Sequence, residues 1–111
     1  MKSIFDSVSK KCSKEITKFY STSFSLATSM LSSEIRQDIY NIYGFVRLAD
    51  EIVDSFHDYD KVALLKRFED DLEYALKEKI STNPVLNAFQ GTVHRYKIDK
   101  EFIDAFMQSM R

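Results

Sequence analysis

Ile35-Arg36-Gln37-Asp38-Ile39-Tyr40-Asn41-Ile42-Tyr43-Gly44-Phe45-Val46-Arg47-Leu48-Ala49-Asp50-Glu51-Ile52-Val53-Asp54-Ser55-Phe56 is a proline-free run with the spacing of a long helix. Wound at about 100° per residue, Ile35, Ile39, Ile42, Val46 and Val53 gather on one side. Phe45, Leu48 and Ile52 fall roughly opposite. A helix that is apolar over most of its circumference belongs inside a helical bundle. Yet Tyr43, Arg47, Asp50 and Asp54 recur at i, i+4, i+7 and i+11, within about 60° of one another. Ionisable groups on a buried helix cost free energy unless something pairs with them.

The spacing allows two readings of that stripe. It is a solvent-facing strip with Arg47 paired to Asp50 or Glu51, since ion pairs three or four residues apart are ordinary. Alternatively it lines a water-filled cavity inside a bundle. Two carboxylates one turn apart suit Mg²⁺, a hard cation that keeps waters and completes its shell with phosphate oxygens. Arg47 would then turn its fork of donors toward the same anion.

Working outward, further helices are expected on both sides. Ile4, Phe5, Val8, Cys12, Ile16 and Phe19 have amphipathic spacing, with Cys12 read as a small buried apolar residue. The Ser/Thr-rich Tyr20-Ser21-Thr22-Ser23-Phe24-Ser25 interrupts the period before a short second helix through Leu26, Ala27, Met30 and Leu31. Ser32 or Ser33 caps the long helix, with Glu34 in its first turn. Asp58 or Asp60 caps a fourth helix on Val62, Leu65, Phe68, Leu72, Ala75 and Leu76. Asn83-Pro84 opens a fifth through Val85, Leu86, Phe89, Val93 and Tyr96. Asp99 caps a sixth on Phe102, Ile103, Phe106, Met107 and Met110. Nothing stops that helix before Arg111, so it reads as cut in mid-element. Glu69-Asp70-Asp71 reads as a solvated charge run, His57 as a loop residue and His94 as a helix-surface one.

Composition agrees with helices joined by short loops. The 111 residues hold two Gly and one Pro, 44% hydrophobic residues and nine Phe. Turn-rich β architectures need more Gly and Pro than this. A net charge of −1 lacks the basic excess of a nucleic-acid binder. The single cysteine, Cys12, forms no internal disulfide. No signal-peptide pattern opens the chain, and no run nears the roughly 18 apolar residues of a membrane span. A cytoplasmic protein is expected, with peripheral membrane association left open.

Tyr43-Gly44-Phe45-Val46-Arg47-Leu48-Ala49-Asp50-Glu51-Ile52-Val53-Asp54 resembles the signature helix of the squalene/phytoene synthase family, Tyr-x-x-x-Arg-x-x-Asp-[Asp/Glu]-x-x-Asp. Upstream, Ser21-Thr22-Ser23-Phe24 is similar to the family's Ser-x-[Ser/Thr]-Phe segment. Where many relatives carry Cys before the arginine, this chain has Val46. The resemblance implies an all-α bundle of the isoprenoid synthase type, of which this chain is the N-terminal part with five to six helices.

It also implies a Mg²⁺-dependent prenyltransferase that joins two prenyl diphosphates head to head. Asp50 and Asp54, with Glu51 less firmly, would hold Mg²⁺ on the diphosphate. Arg47 would contact the diphosphate, and Tyr43 would lie near the reacting carbons. Ser21, Ser23 and Phe24 would flank diphosphate and prenyl chain, although helix capping is a competing role for both serines. Glu51 falls about 80° off the stripe on a helical wheel. The Asp50-Glu51 form leans toward bacterial phytoene synthases, which use geranylgeranyl diphosphate in carotenoid synthesis. The family's second aspartate-rich motif is not among these residues, so the chain alone is expected to be inactive.

Two other readings stand beside this one. Asp54-x-x-His57 has the spacing of di-iron bundle ligands, but the other histidine, His94, has Gly91 where the carboxylate should be. A non-catalytic helical scaffold that binds partner proteins is the second.

Overall fold

The computed structural model describes all residues, Met1–Arg111. Six helices and no strand follow one another: α1 (Lys2–Tyr20), α2 (Thr22–Ser29), α3 (Ser33–Asp54), α4 (Lys61–Glu78), α5 (Pro84–Tyr96) and α6 (Lys100–Ser109). The all-α expectation therefore holds. So does the helix count.

Most starts are set by side chains that accept orphan N–H groups. Asp60 accepts from the Ala63 amide at 3.0 Å, and Asp99 from that of Glu101 at 2.9 Å. Asn83 accepts from Val85 and Leu86 at 3.0 and 3.2 Å, with Pro84 at the first helical position. Each such cap contributes about 1 kcal/mol. Asp58 does not cap α4; Asp60 stands where the backbone turns into the helix. Ser32 begins α3 by its backbone alone, with no side-chain cap. α4 and α5 end on Lys79 and Lys97 in left-handed conformations (φ 60° and 54°), positions that usually favour glycine. α6 stops at Ser109, where the Met110 amide closes on the Met107 carbonyl, and Arg111 folds back onto Glu69 at 3.0 Å. Glu69 is thus half-buried and paired rather than solvated.

α3 is the central element and packs against α1, α2, α4 and α5. Its Phe45 lies parallel to Phe89 of α5 at 3.9 Å and near Phe68 of α4 and Phe106 of α6, at 5.7 and 5.4 Å. Ala49, Ile52, Leu72, Ala75, Leu86, Val93, Ile103 and Met107 complete this core. Removing a buried Phe of this kind costs about 3–5 kcal/mol.

The packing of α1 departs from its apolar pattern. Its fully buried residues are Ser9, Ser13 and Thr17, while Ile4, Val8 and Phe19 are exposed. Cys12 is only half-buried. The reason is size. Ser13 faces Gly44 of α3 so closely that a Cβ on Gly44 would sit 3.0 Å from the Ser13 hydroxyl and 3.3 Å from its Cα. Small side chains allow that approach, and large apolar ones do not. Ser9 and Thr17 donate to the carbonyls one turn back, at 2.8 and 2.9 Å, so most of this hydroxyl stripe is satisfied.

A polar network joins α3 to α5. Asp38 accepts from the Thr92 hydroxyl at 2.8 Å, the Tyr96 hydroxyl at 2.9 Å and Arg95 at 3.3 Å. Asn41 donates to the same Thr92 hydroxyl at 3.0 Å. His94 is not a surface residue either; its ring bridges the Gln90 carbonyl at 2.7 Å and the Leu76 carbonyl of α4 at 3.0 Å.

Candidate functional site

The Ser/Thr-rich break lays α2 alongside the middle of α3. Ser21 ends α1 in an extended conformation, and its hydroxyl accepts from the Phe24 amide at 3.2 Å. Ser21 therefore caps α2, the competing role noted above. Ser23 is exposed. The cap directs Phe24 onto Tyr43, the two rings stacked at 4.8 Å and 23°.

One turn further along α3, Arg47 meets the end of α1. Its guanidinium lies 4.8 Å from the Tyr20 ring centroid, a cation–π contact. Its Nη2 donates to Glu51 at 3.1 Å, with both side chains largely shielded from water. Ser55, Tyr20 and Arg47, in that order, hold the Glu51 carboxyl below the usual glutamate range against its partial desolvation. The same contact to Glu51 pushes the Tyr20 hydroxyl above the usual tyrosine value. Glu51 thus belongs to the cluster. The wheel angle measured against Asp50 and Asp54 obscured this, because Glu51 sits one turn beyond Arg47, about 40° from it.

Asp50 is half-buried, and Asp54, the last residue of α3, is exposed. Neither is engaged in an ion pair. Arg47 is therefore spoken for by Glu51, and the two aspartates stand free one turn apart. The Nε of Arg47 is buried without a partner. A buried N–H left unmet costs about 1–3 kcal/mol, so this arginine has a vacant donor where an anion would find it.

Tyr43, Arg47, Asp50 and Asp54 lie on an open face of the molecule; the larger cavities have other walls. No three acidic, histidine or cysteine side chains converge on one point, so no all-protein metal cage exists, and His57 and His94 share no ligand set with Asp54. Two free carboxylates at helical spacing do fit Mg²⁺, which is commonly held by one or two carboxylates and substrate phosphates. Tyr20 is the residue that spacing along α3 missed. The available signal was an aromatic residue directly before the Ser21 cap, at the point where α1 must turn across α3.

A family model described as squalene/phytoene synthase matches residues 17–111, from the last turn of α1 through α6. No curated protein and no solved structure matches the chain. With the signature residues on one helix and the match covering most of its length, the chain belongs to the squalene/phytoene synthase family.

Proposed function

We propose that the chain supplies the first diphosphate-binding half of a head-to-head prenyltransferase, with geranylgeranyl diphosphate as substrate and phytoene as product. The observation that carries this reading is the pair of uncommitted carboxylates, Asp50 and Asp54, beside an Arg47 whose Nε lacks a partner. Asp50 and Asp54 hold Mg²⁺ against the substrate diphosphate. When bound, Mg²⁺ offsets the charge that builds on the departing diphosphate. Arg47, kept in place by Tyr20 and Glu51, turns its vacant donor to the same group. The Tyr43–Phe24 stack offers an aromatic wall to the prenyl chain and to the allylic cation formed when the C–O bond breaks. Ser21 fixes that wall by capping α2, and Ser23, exposed on the same turn, is placed to meet diphosphate.

A single pair of carboxylates does not complete the chemistry, and these residues alone do not turn over substrate. No helix here is long and apolar enough to cross a membrane. Titrating the protein with a non-hydrolysable prenyl diphosphate analogue, with and without Mg²⁺, tests the assignment. Mg²⁺-dependent binding that falls at least ~tenfold in Asp50→Ala and in Asp54→Ala, about 1.4 kcal/mol each, is expected. Metal-independent binding untouched by either change would instead favour the scaffold reading.

A further inference from the structure

A second anion-handling region lies on the other flank of α2. Between α1, α2 and the start of α3 is a cavity of about 370 Å³, lined by Lys14, Lys18 and Arg36 and by the hydroxyls of Thr22, Ser25 and Tyr40, with no carboxylate in its wall. The three cations are nearly free of acidic partners. Lys18 has only Glu15 at 3.8 Å, and both side chains are more than half exposed, so that attraction is weak and screened. Lys14 lies 5.9 Å from the Tyr40 ring centroid, which leaves its ammonium donors without an anion. Arg36 gives one amino group to the Leu31 carbonyl at 2.9 Å, which pins the guanidinium across the α2–α3 junction. Its Nε is buried and has no partner.

A concave wall of like charge concentrates counter-ions. A buried N–H that the protein leaves unmet is best satisfied by an oxygen-rich anion. The volume is many times a water's share of about 30 Å³, so a phosphate group fits with room for an ester. We propose that this groove binds a phosphate-bearing anion, either an acidic phospholipid headgroup or a free phosphate ester, held by Lys14, Lys18 and Arg36 with Thr22 and Ser25 as additional donors. The groove is separate from the aspartate pair: it shares no residue with it, and Arg36 precedes Asp50 by about 21 Å along the α3 axis. It also needs no metal. The exposed Leu26 and Met30 at its rim make the lipid arm of the test specific, because apolar residues beside cations suit a membrane interface.

The test uses two probes without Mg²⁺: inorganic pyrophosphate by titration calorimetry, and phosphatidylcholine vesicles with and without phosphatidylglycerol by co-sedimentation. Lys14→Gln/Lys18→Gln changes two exposed side chains, and circular dichroism confirms its fold. Salt-sensitive binding of either probe, weakened at least ~tenfold in this variant and retained in Asp50→Asn/Asp54→Asn, supports the site. Pyrophosphate binding assigns a free phosphate, and binding confined to phosphatidylglycerol vesicles assigns a lipid. Binding of neither probe, equal binding by the lysine variant, or a requirement for Mg²⁺ overturns it.

Discussion

Helix α3 carries acidic residues in two places, and the protein treats them in opposite ways. Near its start, Asp38 is buried and fully served by Thr92, Tyr96 and Arg95 from α5. Near its end, Asp50 and Asp54 face outward with no ion-pair partner, beside an arginine with a vacant donor. A carboxylate saturated from within ties two helices together. One left open on a half-buried face is available to a ligand. The same residue type on the same helix thus serves stability at one end and binding at the other.

The largest effect on folding should come from the saturated end. Asp38→Ala strands the Thr92 and Tyr96 hydroxyls and the Arg95 charge, at a cost of about 2–4 kcal/mol, read as a fall in the urea midpoint. A variant as stable as the parent would show that the network does not hold α3 to α5. The Tyr96 hydroxyl, which Asp38 pushes above the ordinary tyrosine value, should return toward that value in the same variant.

Between the two ends lies the close contact of α1 with α3. Gly44→Ala drives a methyl into Ser13, including its backbone, and should cost about 1–3 kcal/mol. Ser13→Gly in the same chain should recover part of that loss, because the new methyl then meets fewer atoms. No recovery would mean that the helix pair relaxes in some other way.

The smallest effect concerns the clamp that links the two regimes. The folded-state pKa of Glu51 lies below its ordinary value, so its contribution is fully present above the usual glutamate range and fades as pH falls through the lowered pKa. Glu51→Gln should therefore flatten part of the acid limb of a stability–pH profile and leave the neutral region almost unchanged. It should also loosen Arg47, seen as weaker binding of a diphosphate analogue at neutral pH. An acid limb identical to the parent's would exclude Glu51 as a contributor.

Much of this was legible in the residues. Asp60, Asn83 and Asp99 are side-chain acceptors placed just before apolar periods, and each caps its helix. The Tyr43–Asp54 spacing put the stripe on one face because i+4 and i+7 geometry is local. What stayed hidden was non-local or a matter of size. Asp38 finds its partners more than 50 residues away, and no local period records that. Ile4, Val8 and Phe19 match an apolar stripe, yet the close α1–α3 approach selects the smaller Ser9, Ser13 and Thr17. Hydrophobicity does not report that requirement. Tyr20 joined the site only because α2 folds back across α3.

The contrast is tested most directly by measuring Mg²⁺-dependent binding of a prenyl diphosphate analogue to Asp50→Asn/Asp54→Asn alongside its urea midpoint. An unchanged midpoint, within about 0.5 kcal/mol of the parent, with binding reduced at least ~100-fold, or about 2.7 kcal/mol, is the expected result. A destabilised protein, or one that binds the analogue with Mg²⁺ as the parent does, would contradict the assignment of these two carboxylates to the ligand.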